Sequence, residues 1–110
     1  MRRSLLILTT LCLSACGGPS VSIANRSGVA LENVVVSGSG FSISVGHLSI
    51  GEVRALVVNP RGESGIRVAF DARGQHYDSG EQGYFEADNA YKVSIAVDSD
   101  LKVTVDSTLK

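Results

Sequence analysis

The strongest constraint on the fold is a period-two alternation of apolar and polar residues in the last third of the chain. From Tyr91 to Asp98, and again from Leu101 to Asp106, every second residue is apolar and the residues between are polar or small. Because successive side chains of a β-strand point to opposite faces, this pattern is typical of strands with one buried and one solvated face. Asp98-Ser99-Asp100 predicts a tight turn between the two strands.

Shorter runs of the same kind predict further strands in the rest of the chain. Sequences rich in glycine, serine, asparagine and proline separate them, and no window shows a sustained helical period with caps. Seven or eight strands at roughly ten-residue spacing predict an all-β fold, an antiparallel β-sandwich in which two sheets bury each other's apolar faces. The predicted strands before Tyr91 lie at Val21–Arg26, Leu31–Ser37, Phe41–Val45, Val53–Val58 and Ile66–Phe70, with a less regular one within Gln75–Phe85.

Tyr91 opens the penultimate predicted strand, six residues after Phe85. This arrangement resembles the tyrosine corner of immunoglobulin-like and fibronectin type III sandwiches, where the tyrosine hydroxyl ties that strand to the preceding crossover. The resemblance implies an immunoglobulin-like sandwich and carries no information about a ligand. Two features depart from it, because Ala87 stands where the fibronectin pattern has proline and the chain has no tryptophan.

The N-terminus carries a pattern of a different kind. Arg2 and Arg3 precede an apolar segment that runs from Leu5 to Leu13. This segment of about nine residues has the length of a signal-peptide core and is far shorter than the roughly 20 residues that span a bilayer. Polar and small residues follow at Gly17-Gly18-Pro19-Ser20, so no transmembrane segment is expected in the mature chain.

The four residues Leu13-Ser14-Ala15-Cys16 resemble the lipobox of bacterial lipoproteins, which has an aliphatic residue, two small residues and an obligatory cysteine. An ordinary secretory site prefers a small residue where Leu13 stands. The resemblance implies that the Cys16 thiol receives a diacylglyceryl group, that the chain is cleaved between Ala15 and Cys16, and that the new amine is often acylated, with palmitate as a typical chain. Each buried CH₂ contributes about 0.8 kcal/mol, so two or three chains hold a protein on a bilayer.

Three regions are therefore predicted: a cleaved signal peptide at residues 1–15, a lipidated cysteine and short tether at 16–20, and a β-sandwich domain at 21–110. Gly17 and Gly18 lack the aspartate associated with inner-membrane retention, which resembles an outer-membrane lipoprotein facing either the periplasm or the cell surface. A tether of this length reaches less than roughly 20 Å. The domain is expected to sit against the membrane.

Charge and cysteine content exclude several partners. Without Arg2 and Arg3, the ten basic residues become eight against 11 acidic ones, a formal charge of −3. Nucleic acid is not an expected partner of such a chain. Because Cys12 leaves with the signal peptide and Cys16 is acylated, no thiol remains for a disulfide, a zinc site or a nucleophile. No cofactor and no metal are expected.

Individual polar residues predict turns and solvated side chains better than catalysis. His47 and His76 have no ligand spacing to each other or to a carboxylate. Asp98 and Asp100 suit a hairpin turn better than a calcium site. Asn25-Arg26-Ser27 matches a glycosylation acceptor, but with a bacterial signal upstream it predicts a turn. No catalytic residue is predicted.

The best candidate for a binding surface is an acidic and aromatic stretch between residues 77 and 88. It interleaves Tyr77, Tyr84 and Phe85 with Asp78, Glu81, Glu86 and Asp88. The pattern favours a solvated edge strand, which its charges protect from pairing with another chain, over a binding surface.

Three hypotheses about function remain. The leading one is a lipid-anchored, non-enzymatic domain of the cell envelope that binds another protein or organises the envelope. The alternative is a small inhibitor or ligand-binding module, acting for instance on a wall-degrading enzyme. An enzyme is the third, and it requires a cleft that brings His47 or His76 together with carboxylates. As a whole, the chain is similar to small bacterial lipoproteins that carry a single immunoglobulin-like domain.

Overall fold

The structure is a computed structural model that describes residues 18–87 and 90–110. The lipobox with Ala15 and Cys16, and Asp88 of the acidic stretch, lie outside the described residues. The described residues form nine strands, and none of them belongs to a helix that could cross a bilayer. The strands are β1 Ser20–Asn25, β2 Leu31–Gly38, β3 Phe41–Leu48, β4 Val53–Leu56, β5 Ser64–Ala72, β6 Gln75–Asp78, β7 Gln82–Phe85, β8 Tyr91–Val97 and β9 Val103–Leu109.

Two sheets confirm the predicted all-β sandwich. The four-stranded sheet has the order β4-β1-β8-β9, and the five-stranded sheet has the order β3-β2-β5-β6, with β7 also paired to β5. The sandwich has nine strands and not seven or eight, because the irregular strand predicted within Gln75–Phe85 is two strands. A break at Ser79-Gly80, where Gly80 has a φ of 69°, lets β6 pair with the second half of β5 and β7 with the first half.

One strand pair departs from the predicted antiparallel arrangement. β1 lies parallel to β8, from Ser20 opposite Lys92 to Asn25 opposite Val97. A parallel pair needs a long crossover connection, and here almost the whole domain lies between the two strands. The first described strand, β1, occupies the middle of its sheet, with β4 antiparallel on its other side.

The core lies between the two sheets and follows the period-two pattern. In β8, Val93, Ile95 and Val97 are buried, while Lys92 is exposed on the outer face. The five-stranded sheet contributes Phe70, which is fully buried and stacks on the half-buried ring of Tyr77. The other buried apolar residues of this cluster are Val21, Ile23, Leu31, Val34, Val36, Leu48, Val58, Ile66, Val68, Ala72, Phe85, Leu101 and Val103.

Asn25 joins the two sheets at the far end of β1. Its side chain is buried, and Nδ2 donates to the carbonyl oxygens of Val29 at 2.8 Å, Leu48 at 3.0 Å and Ser49 at 3.1 Å. Its Oδ1 accepts hydrogen bonds from the backbone N–H and the hydroxyl of Ser27, at 3.0 and 2.6 Å. Asn25-Arg26-Ser27 is therefore a turn whose asparagine faces the interior.

Arg54 closes the gap between the edge strands β3 and β4. Its guanidinium donates to the carbonyl oxygens of Val45 at 2.9 Å and His47 at 3.1 Å. Glu52 Oε2 accepts two further hydrogen bonds from the same guanidinium. Free carbonyls on an edge strand are a template for pairing with another chain. Arg54 therefore occupies acceptors that a second molecule would need.

Removal of the Asn25 side chain is expected to destabilise the fold strongly. Asn25→Ala should lower the free energy of unfolding by about 3 kcal/mol, because buried carbonyls and the Ser27 N–H lose their partner. Asn25→Asp should lower it at least as much, since a carboxylate cannot donate to those carbonyls. Urea unfolding measures both. The matched control Asn59→Ala, at an exposed asparagine, should change stability by less than about 0.5 kcal/mol, and an equal loss in the control would contradict this role.

Arg54→Met is expected to increase self-association. The substitution keeps an apolar stem but leaves the Val45 and His47 carbonyls free on an edge strand. Sedimentation velocity over a concentration series should show dimers or larger species that are absent from the parent protein. Arg26→Met, at another exposed arginine, is the control for loss of charge, and association in both variants would argue against edge protection.

Candidate functional site

The predicted acidic and aromatic surface divides into parts that lie in different places. Phe85 is fully buried in the core, and Tyr77 is half-buried on β6. Tyr84 and Glu86 do meet at the surface, where the Tyr84 hydroxyl donates to Glu86 Oε2 at 2.6 Å. Tyr84 keeps 45% of its surface exposed. Phe85 is therefore no part of a surface, and the four predicted residues do not form one continuous patch.

The Tyr84 hydroxyl is held in its protonated form. Its hydrogen bond to Glu86, together with partial burial and the nearby charge of Glu63, raises the pKa of Tyr84 to about 12. Loss of the proton would place a phenolate against a carboxylate. Tyr84 is therefore a fixed hydrogen-bond donor at neutral pH and is unsuited to act as a base.

A second polar cluster, which the sequence analysis missed, lies on the outer face of the five-stranded sheet. His47 Nδ1 lies 2.9 Å from Glu32 Oε2, and its Nε2 lies 3.2 Å from Ser49 Oγ. On the adjoining strands, Asp71 contacts both His76 Nδ1 at 2.7 Å and Asn33 Nδ2 at 2.9 Å. We call these six side chains the histidine–carboxylate row: Ser49, His47, Glu32, Asn33, Asp71 and His76.

A β-bulge in β2 builds the middle of this row. The register of β2 with both neighbouring strands shifts between Leu31 and Val35, and Asn33 has a φ of 52°. Leu31 and Val34 are both fully buried although they lie three residues apart, which leaves Glu32 and Asn33 exposed between them. Bulges re-aim side chains in this way, and asparagine tolerates a positive φ better than most residues. The break in alternation at Glu32-Asn33 is the sequence signal that could have revealed the row.

Water reaches every imidazole and carboxyl group of the row. The side chains of His47 and Glu32 are 53% and 54% exposed, and those of His76 and Asp71 are 66% and 40% exposed. Exposed ion pairs contribute little to stability, because water screens them. The hydrogen bond from Asn33, followed by the one from His76, lowers the pKa of Asp71 below its ordinary value of 3.8. The row thus offers carboxyl and imidazole side chains to an approaching partner.

Ser49, His47 and Glu32 follow the order of a catalytic triad, but the surroundings do not suit acyl transfer. An oxyanion needs backbone donors beside the nucleophile. The N–H of Ser49 is already bonded to Glu52 Oε1 at 2.9 Å. Within residues 18–87 and 90–110, no three histidine, cysteine or acidic side chains are placed to hold a metal ion. The row is therefore better suited to hydrogen bonding with a polar partner.

Comparisons with known proteins agree with the fold. No protein-family model matches the chain, and no curated protein matches its sequence. Among solved structures, the chain is similar to the NMR structure of a protein from Eubacterium rectale, with a TM-score of 0.60, 15% sequence identity, and coverage of 87% of this chain and 93% of that chain. At this identity the similarity shows the fold alone, a small all-β domain of two sheets.

Asn33→Gly is expected to raise the pKa of Asp71 toward 3.8, because it removes the amide donor while glycine retains the positive φ. A titration of the Asp71 carboxyl resonance by NMR measures the shift. Asp78, which is paired with Arg67, should titrate unchanged as the internal control. An unchanged Asp71 titration would contradict the role of Asn33.

The same pKa has a consequence for stability. The pKa of Asp71 is lower in the folded state than in the unfolded state. The stability that its ionised carboxylate contributes is therefore full above the unfolded-state pKa, and it is lost as the pH falls through the folded-state pKa. The parent protein should therefore lose more stability than Asn33→Gly on acidification below about 3.8. Equal losses in urea unfolding at pH values across this range would argue against the linkage.

Proposed function

We propose that the protein is a lipid-anchored, non-enzymatic domain of the bacterial cell envelope. In this proposal Cys16 is acylated after cleavage behind Ala15, the anchor lies in the outer membrane, and the domain binds another envelope protein. The observation that carries the proposal is the start of β1 at Ser20, directly after a buried Pro19. Only residues 17–19 would then separate the acylated cysteine from folded protein.

The short tether restricts where a partner can be. At about 3.4 Å per residue, three residues and the flanking bonds reach roughly 10–14 Å. This is less than the length of the sandwich, since the nine residues of β5 span about 30 Å. An anchored domain of this kind works at the membrane surface, and its partner is expected there.

The histidine–carboxylate row lies at the end of the sandwich remote from the tether. β1 runs away from Ser20, and Asn25 at its far end bonds the carbonyls of Leu48 and Ser49, next to His47. Asp71 likewise lies near the end of β5 that is remote from Ser64. An anchored domain would therefore hold this exposed polar surface away from its point of attachment. This supports the row as the contact with a neighbouring envelope protein.

Cys16→Ser is expected to move the protein from the membrane to the soluble fraction of the envelope, because serine cannot accept the thioether-linked lipid. Fractionation of cells that express either form measures the change. Wash-resistant membrane association of the parent protein is the positive control. A variant that stays in the membrane, or a parent protein that is already soluble, would refute the anchor.

Crosslinking in living cells tests the partner. A photoreactive residue at position 76, in the row, should capture one dominant envelope protein, whereas the same residue at Thr104, exposed on the other sheet, should not. The crosslink should weaken or disappear in the Cys16→Ser background, since the anchor concentrates the domain at the membrane. A crosslink to a wall-degrading enzyme that persists fully in that background would favour the inhibitor alternative. Equal capture from both positions would refute the row as the binding surface.

A further inference from the structure

Large apolar side chains are exposed at both ends of the four-stranded sheet, and Val57 and Leu109 lie at the end where β1 begins. Val57 is 86% exposed and Leu109 is 69% exposed, the two highest values among the large apolar side chains exposed on the described part of the chain. Ile50 and Val53 are 65% and 63% exposed at the opposite end. Single exposed apolar residues are common on protein surfaces, so the surroundings at each end distinguish the two.

The register puts Val57 beside the tether and Leu109 at the same end of the sheet, two strands from β1. Leu56 lies opposite Val21, so Val57 follows next to Ser20. Ser20 lies opposite Lys92 on the next strand. Leu109 lies opposite Tyr91, one residue before Lys92. A shallow groove lined by residues 18–21 and 55–59 connects the tether to Val57.

The polar residues at this end match the chemistry of a membrane interface. Lys92 and Lys110 are exposed, and the backbone N–H of Lys110 donates to the Ala90 carbonyl at 2.6 Å, which holds the last residue near β8. The half-exposed ring of Tyr84 lies edge-on to Tyr91, with 6.3 Å between centroids. Tyrosine and lysine are favoured at the headgroup level, where one end of the side chain is apolar and the other is wet.

Cations and carboxylates both lie at this end among the described residues. The acidic side chains are Glu63, Glu81 and Glu86, of which Glu81 lies against Gly65 and Glu86 is bonded to the Tyr84 hydroxyl. Arg61 adds a third cation, since its backbone N–H bonds the Ser39 carbonyl in the hairpin at the same end. An anionic lipid surface attracts the exposed lysines.

We infer that this end of the four-stranded sheet is a membrane-contact surface, on which Val57 and Leu109 enter the headgroup region of an anionic bilayer while Lys92 and Lys110 bind lipid phosphates. The inference rests on the proposed acylation of Cys16 and adds the orientation of the domain. The lipid keeps the protein on the membrane. The contact surface orients the domain so that the histidine–carboxylate row faces away from the membrane.

Tryptophan reporters test the orientation, because the chain has no tryptophan of its own. The acylated full chain carrying Val57→Trp is reconstituted in phosphatidylcholine vesicles that contain phosphatidylglycerol and brominated acyl chains. Its emission should shift to the blue and be quenched about twofold or more, since interfacial side chains lie about 5–10 Å into the headgroup and acyl boundary. The matched control Ile50→Trp, at a side chain that is 65% exposed at the opposite end, should stay unquenched.

Flotation of the same samples separates the failure of the inference from the failure of the proposed function. Protein that floats with the vesicles but shows equal quenching for both reporters overturns the orientation and leaves the anchor intact. Protein that does not float overturns the anchor, and the inference with it.

Charge reversal tests the lysines. Lys92→Glu combined with Lys110→Glu should reduce the quenching of the Val57→Trp reporter in vesicles with phosphatidylglycerol and leave it unchanged in pure phosphatidylcholine. Lys102→Glu, at an exposed lysine of the opposite end, is the control and should have no effect. Unchanged quenching in the double variant would overturn the proposed binding of lipid phosphates.

Discussion

The hydrogen bonds of Asn25 are the interaction on which the rest of the structure depends. A sandwich of two sheets is held together by apolar contacts, which have no direction and do not by themselves determine how the loops at its ends are arranged. The hydrogen bonds of Asn25 are directional and fix these loops, because one buried amide binds carbonyls from the turn after β1 and from the end of β3. This arrangement places Ser49 and His47, and with them one side of the histidine–carboxylate row.

Side chains close both long sides of the sandwich. Arg54 spans from β4 to the carbonyls of β3 on one side. On the other, Gln82 Nε2 donates to the Val103 carbonyl at 3.1 Å, and the Ser107 hydroxyl bonds the Tyr84 carbonyl. These bonds occupy the carbonyls of Val45, His47, Val103 and Tyr84, which are groups that an exposed edge would offer to another chain.

The two ends of the sandwich differ in chemistry, and this difference underlies the proposed function. The end beside the tether combines exposed apolar side chains with lysines. The opposite end carries the histidine–carboxylate row, whose side chains are exposed and hydrogen-bonded to each other, and it also exposes Ile50 and Val53. In the proposal, the first end attaches the domain and the row at the second end recognises a partner. Val57 and Asp71 mark these two ends, and each is accessible to solvent.

The sequence by itself determined where most strands lie and which residues face the core. Val93, Ile95 and Val97 could be assigned to the interior because period-two alternation is a local property that each strand carries alone. The same rule separates Phe85 from Tyr84, although the composition of the stretch predicted one surface for both. Only the tertiary structure decided the parallel pairing of β1 with β8, the bulge at Asn33 and the assembly of the row. The physical reason is that these features depend on contacts between strands far apart in the chain, and no local pattern specifies which strands become neighbours.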